Sequence, residues 1–169
     1  MSWWHERARN GGVDEIPVRP AGGRLWLAGK HFVGPDPQAS LTAVGASQVV
    51  CLCEAHELDR YPAYVEWLRA NAPERARWWP IPDLHGPSVS EAERLVGDLR
   101  ASLDAGAGVL MHCGAGIGRA GTFATALLID LGRPLDEALA IVASHRPMAG
   151  PEAGGQRALL VELAARRAR

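Results

Sequence analysis

The chain has 169 residues with 18 basic and 19 acidic side chains, a formal net charge of −1. That balance leaves no bulk electrostatic footprint for nucleic acid or a membrane surface, and the length suits one domain able to bury a sizeable core. Three cysteines, an odd number, argue against a secreted disulfide framework, and no run reaches membrane-spanning length or has the apolar core of a leader, so a reducing cytoplasm is the expected location.

Residues 1–23 read as an N-terminal arm that packs Trp3 and Trp4 on the domain and takes an irregular path through its Gly-Gly pairs. The single domain is expected over residues 24–169. Leu25–Ala28 reads as a short strand, and Ser40 as the cap of a short helix running through Val44 and ended by Gly45. Val49–Cys53, an apolar run between polar residues, reads as a buried strand. Pro62 opens a helix carrying Tyr64, Val65 and Leu68 on one face. Trp78–Ile81 reads as another strand. Ser90 with Glu93 makes a capping box ahead of Leu95, Val96, Leu99 and Leu103. Val109–His112 reads as a strand. Arg119–Leu131 is a helix stopped by Gly132, and Pro134–Arg146 a second one that Pro147 forbids from continuing. A last helix holds Leu159, Leu160 and Leu163, with Arg166, Arg167 and Arg169 at its C-terminal dipole. Strands alternating with helices, then helices alone, give an α/β fold, a sheet flanked by helices.

The most informative stretch is Val109–Thr122. An apolar strand leads into His112-Cys113, small residues follow, then Arg119 and a helical pattern. A thiol must ionise before it attacks phosphorus, and a free cysteine is mostly protonated at neutral pH. Placed just before a helix N-terminus, Cys113 meets unpaired N–H groups and a favourable dipole. Gly114, Gly116 and Gly118 let the loop curl so that the N–H groups of Gly114, Ala115, Gly116, Ile117, Gly118 and Arg119 form an anion nest. The planar fork of Arg119 binds two phosphate oxygens where a lysine would bind as a point charge. The bland alternative is a glycine-rich turn with a buried cysteine. His5, His31, His56 and His145 show no metal-ligand spacing, so no metal is expected.

The run His112-Cys113-Gly114-Ala115-Gly116-Ile117-Gly118-Arg119-Ala120-Gly121-Thr122-Phe123 resembles the Cys-x5-Arg loop of the cysteine-dependent protein phosphatases. The small dual-specificity group is the nearest pattern, and the composition, with Lys30 as the single lysine, points to a GC-rich bacterial genome. The resemblance implies a mostly parallel sheet, no cofactor, a phosphorylated protein as partner and a cysteinyl-phosphate intermediate. It also implies a general acid opposite the loop. Asp83 in Pro80-Ile81-Pro82-Asp83-Leu84-His85-Gly86-Pro87-Ser88, 30 residues before Cys113, is the candidate; it would otherwise merely make an Asx-turn. His85 is a weaker candidate acid. His112 is expected to bond the loop backbone from behind. Gln156, in the segment after Arg146, is carried over as the residue that orients the hydrolytic water, while Glu152 reads as a carboxylate at a helix start. Relatives have Ser or Thr after the arginine, a hydroxyl that assists sulfur as it leaves; Ala120 has none, and Thr122 points elsewhere along the helix. Cys53, near the strand end in Val49-Val50-Cys51-Leu52-Cys53-Glu54, resembles a cysteine that in the lipid phosphatase of this superfamily pairs with the nucleophile, so it is a redox candidate; Cys51 and Cys53 read equally as small core residues.

Gly114, Ala115 and Ile117 are neutral, which argues against highly phosphorylated lipids, inositols and RNA triphosphates and suits an aryl phosphate. Trp78 and Trp79 precede the acid loop, as core or as substrate platform. The expected function is hydrolysis of phosphomonoesters, phosphotyrosine in proteins above all and phosphoserine or phosphothreonine besides. A slow pseudophosphatase that binds phosphoproteins is the competing class, and a rhodanese-like sulfurtransferase a third.

Overall fold

The computed structural model describes residues 12–169; Trp3 and Trp4 of the expected arm lie outside the described residues. In chain order the elements are β1 (Val13–Ile16), β2 (Arg24–Gly29), α1 (Lys30–Val33), α2 (Pro37–Val44), β3 (Gln48–Cys51), a 3-10 turn at Ala55–Leu58, α3 (Pro62–Asn71), β4 (Ala76–Trp78), α4 (Val89–Asp104), β5 (Gly108–Cys113), α5 (Gly118–Asp130), α6 (Leu135–His145) and α7 (Gly154–Arg167).

The sheet order is β1-β2-β5-β3-β4, with β1 antiparallel and the rest parallel. The central strands are buried on both faces, as parallel strands flanked by helices must be. Side chains alternate accordingly. Leu25, Leu27, Val50, Val109, Met111 and Cys113 join the core under α4 to α7. Trp26, Ala28, Val49, Cys51 and Leu110 join the other core, under α1 to α3. Register aligns Gly29 with Cys113 and Cys51 with His112. Three strands therefore end together, at the C-terminal edge where open α/β sheets bind ligands.

Several boundaries differ from the sequence reading. Val13–Ile16, expected in an irregular arm, is an edge strand paired from Val13–Ala28 to Ile16–Leu25. Its pattern is obscured by Asp14 and Glu15, whose charges are matched by Arg146 and Arg24. The strand expected at Trp78–Ile81 lies at Ala76–Trp78. Pro80 and Pro82 have no N–H for a ladder, although Trp79 and Ile81 still donate to Cys51 O and Leu52 O at 2.8 and 3.1 Å. The strand at Val49–Cys53 stops at Cys51. Asp36 rather than Ser40 caps α2, accepting from Ala39 N at 2.9 Å, while Ser40 Oγ donates to Phe32 O. Ser88 rather than Ser90 caps α4, accepting from Glu91 N; Ser88-Val-Ser-Glu91 offers the same box two residues earlier.

One buried charge ties the fold to its loop. Arg146, 1% exposed, donates to Gly116 O (2.6 Å), Ala115 O (2.9 Å) and Leu27 O (3.3 Å) and pairs with Asp14 at 2.9 Å. Removing one partner of such a buried pair typically costs about 3–5 kcal/mol. Arg146→Met is expected to lose a stability of about that size in urea unfolding, at an unchanged m-value.

Candidate active site

The loop between β5 and α5 is built by where its carbonyls go. Lys30 N takes Gly114 O at 3.0 Å, and Arg146 takes those of Ala115 and Gly116. Gly116 sits at φ 72°, and a Cβ there would lie 2.3 Å from Ala28 O, so only glycine fits. With carbonyls held outside, N–H groups are left for the interior, and those of Ala120 and Gly116 favour the ionised form of the Cys113 thiol. Cys113 is 2% exposed and lines a cavity of about 470 Å³ together with Gly114, Gly118, Arg119, Asp83, Lys30 and Glu152.

Burial is the largest influence on the Cys113 thiol and pushes it up; the Ala120 and Gly116 N–H groups and the Arg119 charge pull it back only in part. Arg119 donates to Glu57 through both terminal nitrogens, at 2.8 and 2.7 Å, and to Ile81 O at 2.8 Å. Its Nε is buried without a hydrogen-bond partner among the described residues. Burial alone would weaken the guanidinium's charge, but Glu57 and Cys113 outweigh it and keep it protonated. Burial likewise pulls the Glu57 carboxyl up, yet Arg119, the Glu54 backbone and Lys30 bring it below the ordinary carboxylate range.

Glu57 and Lys30 escaped the sequence reading. Lys30 Nζ donates to Glu57 O at 3.0 Å. The available signal was Glu54-Ala55-His56-Glu57, a short capping pattern directly after a buried strand: Glu57 Oε2 accepts from Glu54 N at 2.7 Å.

Asp83 stands at the cavity with its side chain 66% exposed, Oδ1 3.4 Å from Arg119 Nη2. Oδ1 also accepts from Leu84 N at 3.0 Å, so the Asx-turn geometry is present beside the cavity position. His85 turns back to Asp83 O. His112 is fully buried; Nε2 meets the Tyr64 hydroxyl at 2.5 Å and Nδ1 lies 3.2 Å from Cys113 O. Alternation along β5 puts His112 on the α1–α3 face, where its donor nitrogen and the sulfurs of Cys51 and Cys53 lie within 4.8 Å of one another. Cys53 packs on that face and Cys113 on the other; a bond from Cys51, then burial, push the Cys53 thiol far up. Ala120 is fully buried and Thr122 Oγ1 is buried without a partner among the described residues. Trp78 donates to Cys53 O and, like Trp79, packs on the cores.

Gln156 and Glu152 exchange the places expected of them. Glu152 lines the cavity, its Oε2 lying where a Cβ on Gly118 would come within 2.2 Å. Gln156 is fully buried and uses both ends of its amide: Oε1 accepts from Glu152 N at 2.8 Å and Nε2 donates to His85 O at 3.3 Å.

Residues 32–154 match the family model described as the Swiss Army Knife protein DSP-PTPase phosphatase domain. No curated protein matches the sequence. Among solved structures, Tk-PTP in its active form superposes with a TM-score of 0.69 at 28% identity, covering 90% of this chain and 97% of that one. Human DUSP28 does so with a TM-score of 0.68 at 23% identity, over 92% and 95%. PTPMT1 in complex with PI(5)P reaches 0.68 at 18% identity, over 85% and 92%. No helix among the described residues is long and apolar enough to cross a membrane.

A thiol raised by burial stays protonated until pH climbs past its shifted value, so alkylation of Cys113 by iodoacetamide should rise steadily on going alkaline. Arg119→Ala removes a charge that lowers the thiol, so its alkylation profile should move to higher pH. Mass-spectrometric quantification of the Cys113 peptide checks both; a profile unmoved by Arg119→Ala would contradict the electrostatic assignment.

Proposed function

This chain belongs to the DSP-PTPase phosphatase family, and from that premise we propose that it hydrolyses single phosphomonoesters, phosphotyrosine in proteins first and phosphoserine or phosphothreonine second, through a cysteinyl-phosphate. One observation carries the reading. Cys113 and Arg119 line one cavity at the glycine-rich loop between β5 and α5, where loop N–H groups favour the ionised thiol and the Arg119 Nε–H has no hydrogen-bond partner among the described residues. A phosphate oxygen satisfies such a donor.

In the first step the Cys113 thiolate bonds to phosphorus and the P–O bond to the leaving group breaks; Asp83 gives that oxygen its proton. The loop N–H groups of residues 114–119 and the Arg119 fork take the charge on the equatorial oxygens. In the second step water attacks phosphorus, Asp83 recovers a proton from it, and the S–P bond breaks to return the thiolate. Lys30 and Glu57 hold the fork in place. The carboxylates of Asp83 and Glu152 at the cavity, with neutral Gly114, Ala115 and Ile117 in the loop and Lys30 as the one further cation among the described residues on the wall, favour one phosphate over several. A location in a reducing compartment suits the free thiols.

Ala120 favours a second reading, a slow phosphatase that dwells on phosphoproteins, because no hydroxyl stands beside the leaving sulfur.

A panel of phosphotyrosine, phosphoserine and phosphothreonine peptides and phosphoinositides distinguishes the readings. Wild type is expected to release phosphate fastest from phosphotyrosine, and Cys113→Ser to bind but not hydrolyse. Asp83→Asn should lose about 10²–10⁴-fold on poor leaving groups. A burst of phenol followed by slow turnover, relieved by Ala120→Ser, would show that phosphoenzyme breakdown limits the rate. Hydrolysis undiminished in Cys113→Ser would sink the proposal, and a phosphoinositide as the preferred substrate would overturn the protein specificity.

A further inference from the structure

The loop that carries Asp83 has little holding it. Its first residues are fixed: Ile81 N donates to Leu52 O, and Arg119 binds Ile81 O. Beyond Pro82 most bonds are internal, apart from the approach of Asp83 Oδ1 to Arg119 Nη2 at 3.4 Å and a bond from α7. His85 N reaches Pro82 O at 3.1 Å, Leu84 N reaches Asp83 Oδ1, and His85 Nδ1 meets Asp83 O at 2.7 Å. Leu84 sits in the left-handed region at φ 64° with its side chain half exposed. A short turn of this kind keeps its shape but not its place.

Its place is set from α7. Gln156 Nε2 donates to His85 O, and Gly86 lies against Leu159, where an added Cβ would meet Cδ2 at 3.1 Å. Gln156 is fully buried between exposed Gly154, Gly155 and Arg157, so it is turned inward for a contact rather than left on the helix surface. The other end of the same amide accepts from Glu152 N. One planar group of fixed size thus spans the two loops that bring Asp83 and Glu152 to the cavity. A buried amide with donor and acceptor both engaged has one orientation.

We propose that Gln156 is a positioning residue that sets the reach of Asp83 to the leaving oxygen by tying the acid loop to the start of α7; this rests on the reading of Asp83 as proton donor. General-acid help needs the proton within hydrogen-bond reach of the departing atom, and a misplacement of about 1 Å can cost 10²-fold. The role differs from orienting the hydrolytic water, for which the remaining N–H or lone pair would have to face the cavity, whereas Gln156 is fully buried and not among the residues that line it.

The test uses the full chain and a series of phosphate esters from nitrophenyl through phenyl to alkyl, with Gln156→Ala, Gln156→Glu, Asp83→Asn and the Asp83→Asn/Gln156→Ala pair. Gln156→Glu keeps an acceptor for Glu152 N but has no donor for His85 O, so it cuts the acid-loop arm at nearly constant shape. In kcat/KM, which reports leaving-group departure and not the later hydrolysis of the phosphoenzyme, both Gln156 variants should stay within about threefold of wild type on the nitrophenyl ester and fall by about 30-fold or more on phenyl and alkyl esters. Vanadate affinity should hold, because the loop of residues 113–119 is untouched. The double variant should be no slower than Asp83→Asn alone, since a misplaced acid costs nothing once the acid is gone. Equal losses on every ester, additivity in the double variant, or a slowed phosphoenzyme breakdown with an intact first step would overturn the positioning role while leaving Asp83 as acid. If Asp83→Asn itself shows no dependence on the leaving group, the acid assignment falls and the role of Gln156 with it.

Discussion

Turning successive N–H groups toward one point obliges the same peptide units to send their carbonyls outward, and each buried carbonyl there needs a donor. Much of this fold answers that demand. Gly114 O is met by Lys30 N at the start of α1, Ala115 O and Gly116 O by Arg146 at the end of α6, and Ile117 O by Gly121 N and by Gly150 N from the loop that follows α6. Arg146 brings a charge with it, which Asp14 of β1 balances. The edge strand and the segment after α6 thereby become parts of the anion-binding loop, although neither contributes to its inner wall.

Charge inside the site is balanced before any ligand arrives. Arg119 is matched by both oxygens of Glu57, with Asp83 nearby. On the function proposed above, a phosphate would meet the loop N–H groups and a guanidinium already paired with Glu57 rather than a bare cation. This is selection by directed donors, which read shape, more than by net charge, which attracts any anion. Burial dominates the Cys113 thiol, and the Arg119 charge offsets it only in part.

The strand-loop-helix around Cys113 was legible because one contiguous motif encodes it: apolar strand, glycines, arginine, helix. The layer architecture followed from periodicity, and the family match and superpositions accord with it. What escaped was whatever the sheet assembles from afar. Glu57 lies 62 positions from Arg119, and no local pattern ties an exposed-looking Glu to a distant buried fork. β1 was hidden because its two central residues are acidic and matched by residues elsewhere. Helix starts were misjudged by a few residues where Ser, Asp and Pro offered alternative caps within one turn. Glu152 precedes α7 and meets the cavity from the loop before it, while Gln156 on the first turn of α7 is buried and bonded to Glu152 N and His85 O; both placements depend on contacts with distant segments that no local pattern shows.

Alternation along β5 has a last consequence. His112 and Cys113 are neighbours in sequence but belong to opposite cores, one under α1–α3 and one under α4–α7. Tyr64, Cys51 and Cys53 crowd His112, and the His112 ring bonds back to the carbonyl of Cys113. The nucleophile's backbone is thus fixed from the face that its side chain does not touch. A change at Tyr64 on α3 reaches the sulfur through a single peptide unit, without crossing the cavity. Cys53 sits in that rear cluster, held as a neutral thiol by Cys51 and by burial. With no exposed surface of its own, Cys53 packs as a small core residue on the face opposite Cys113.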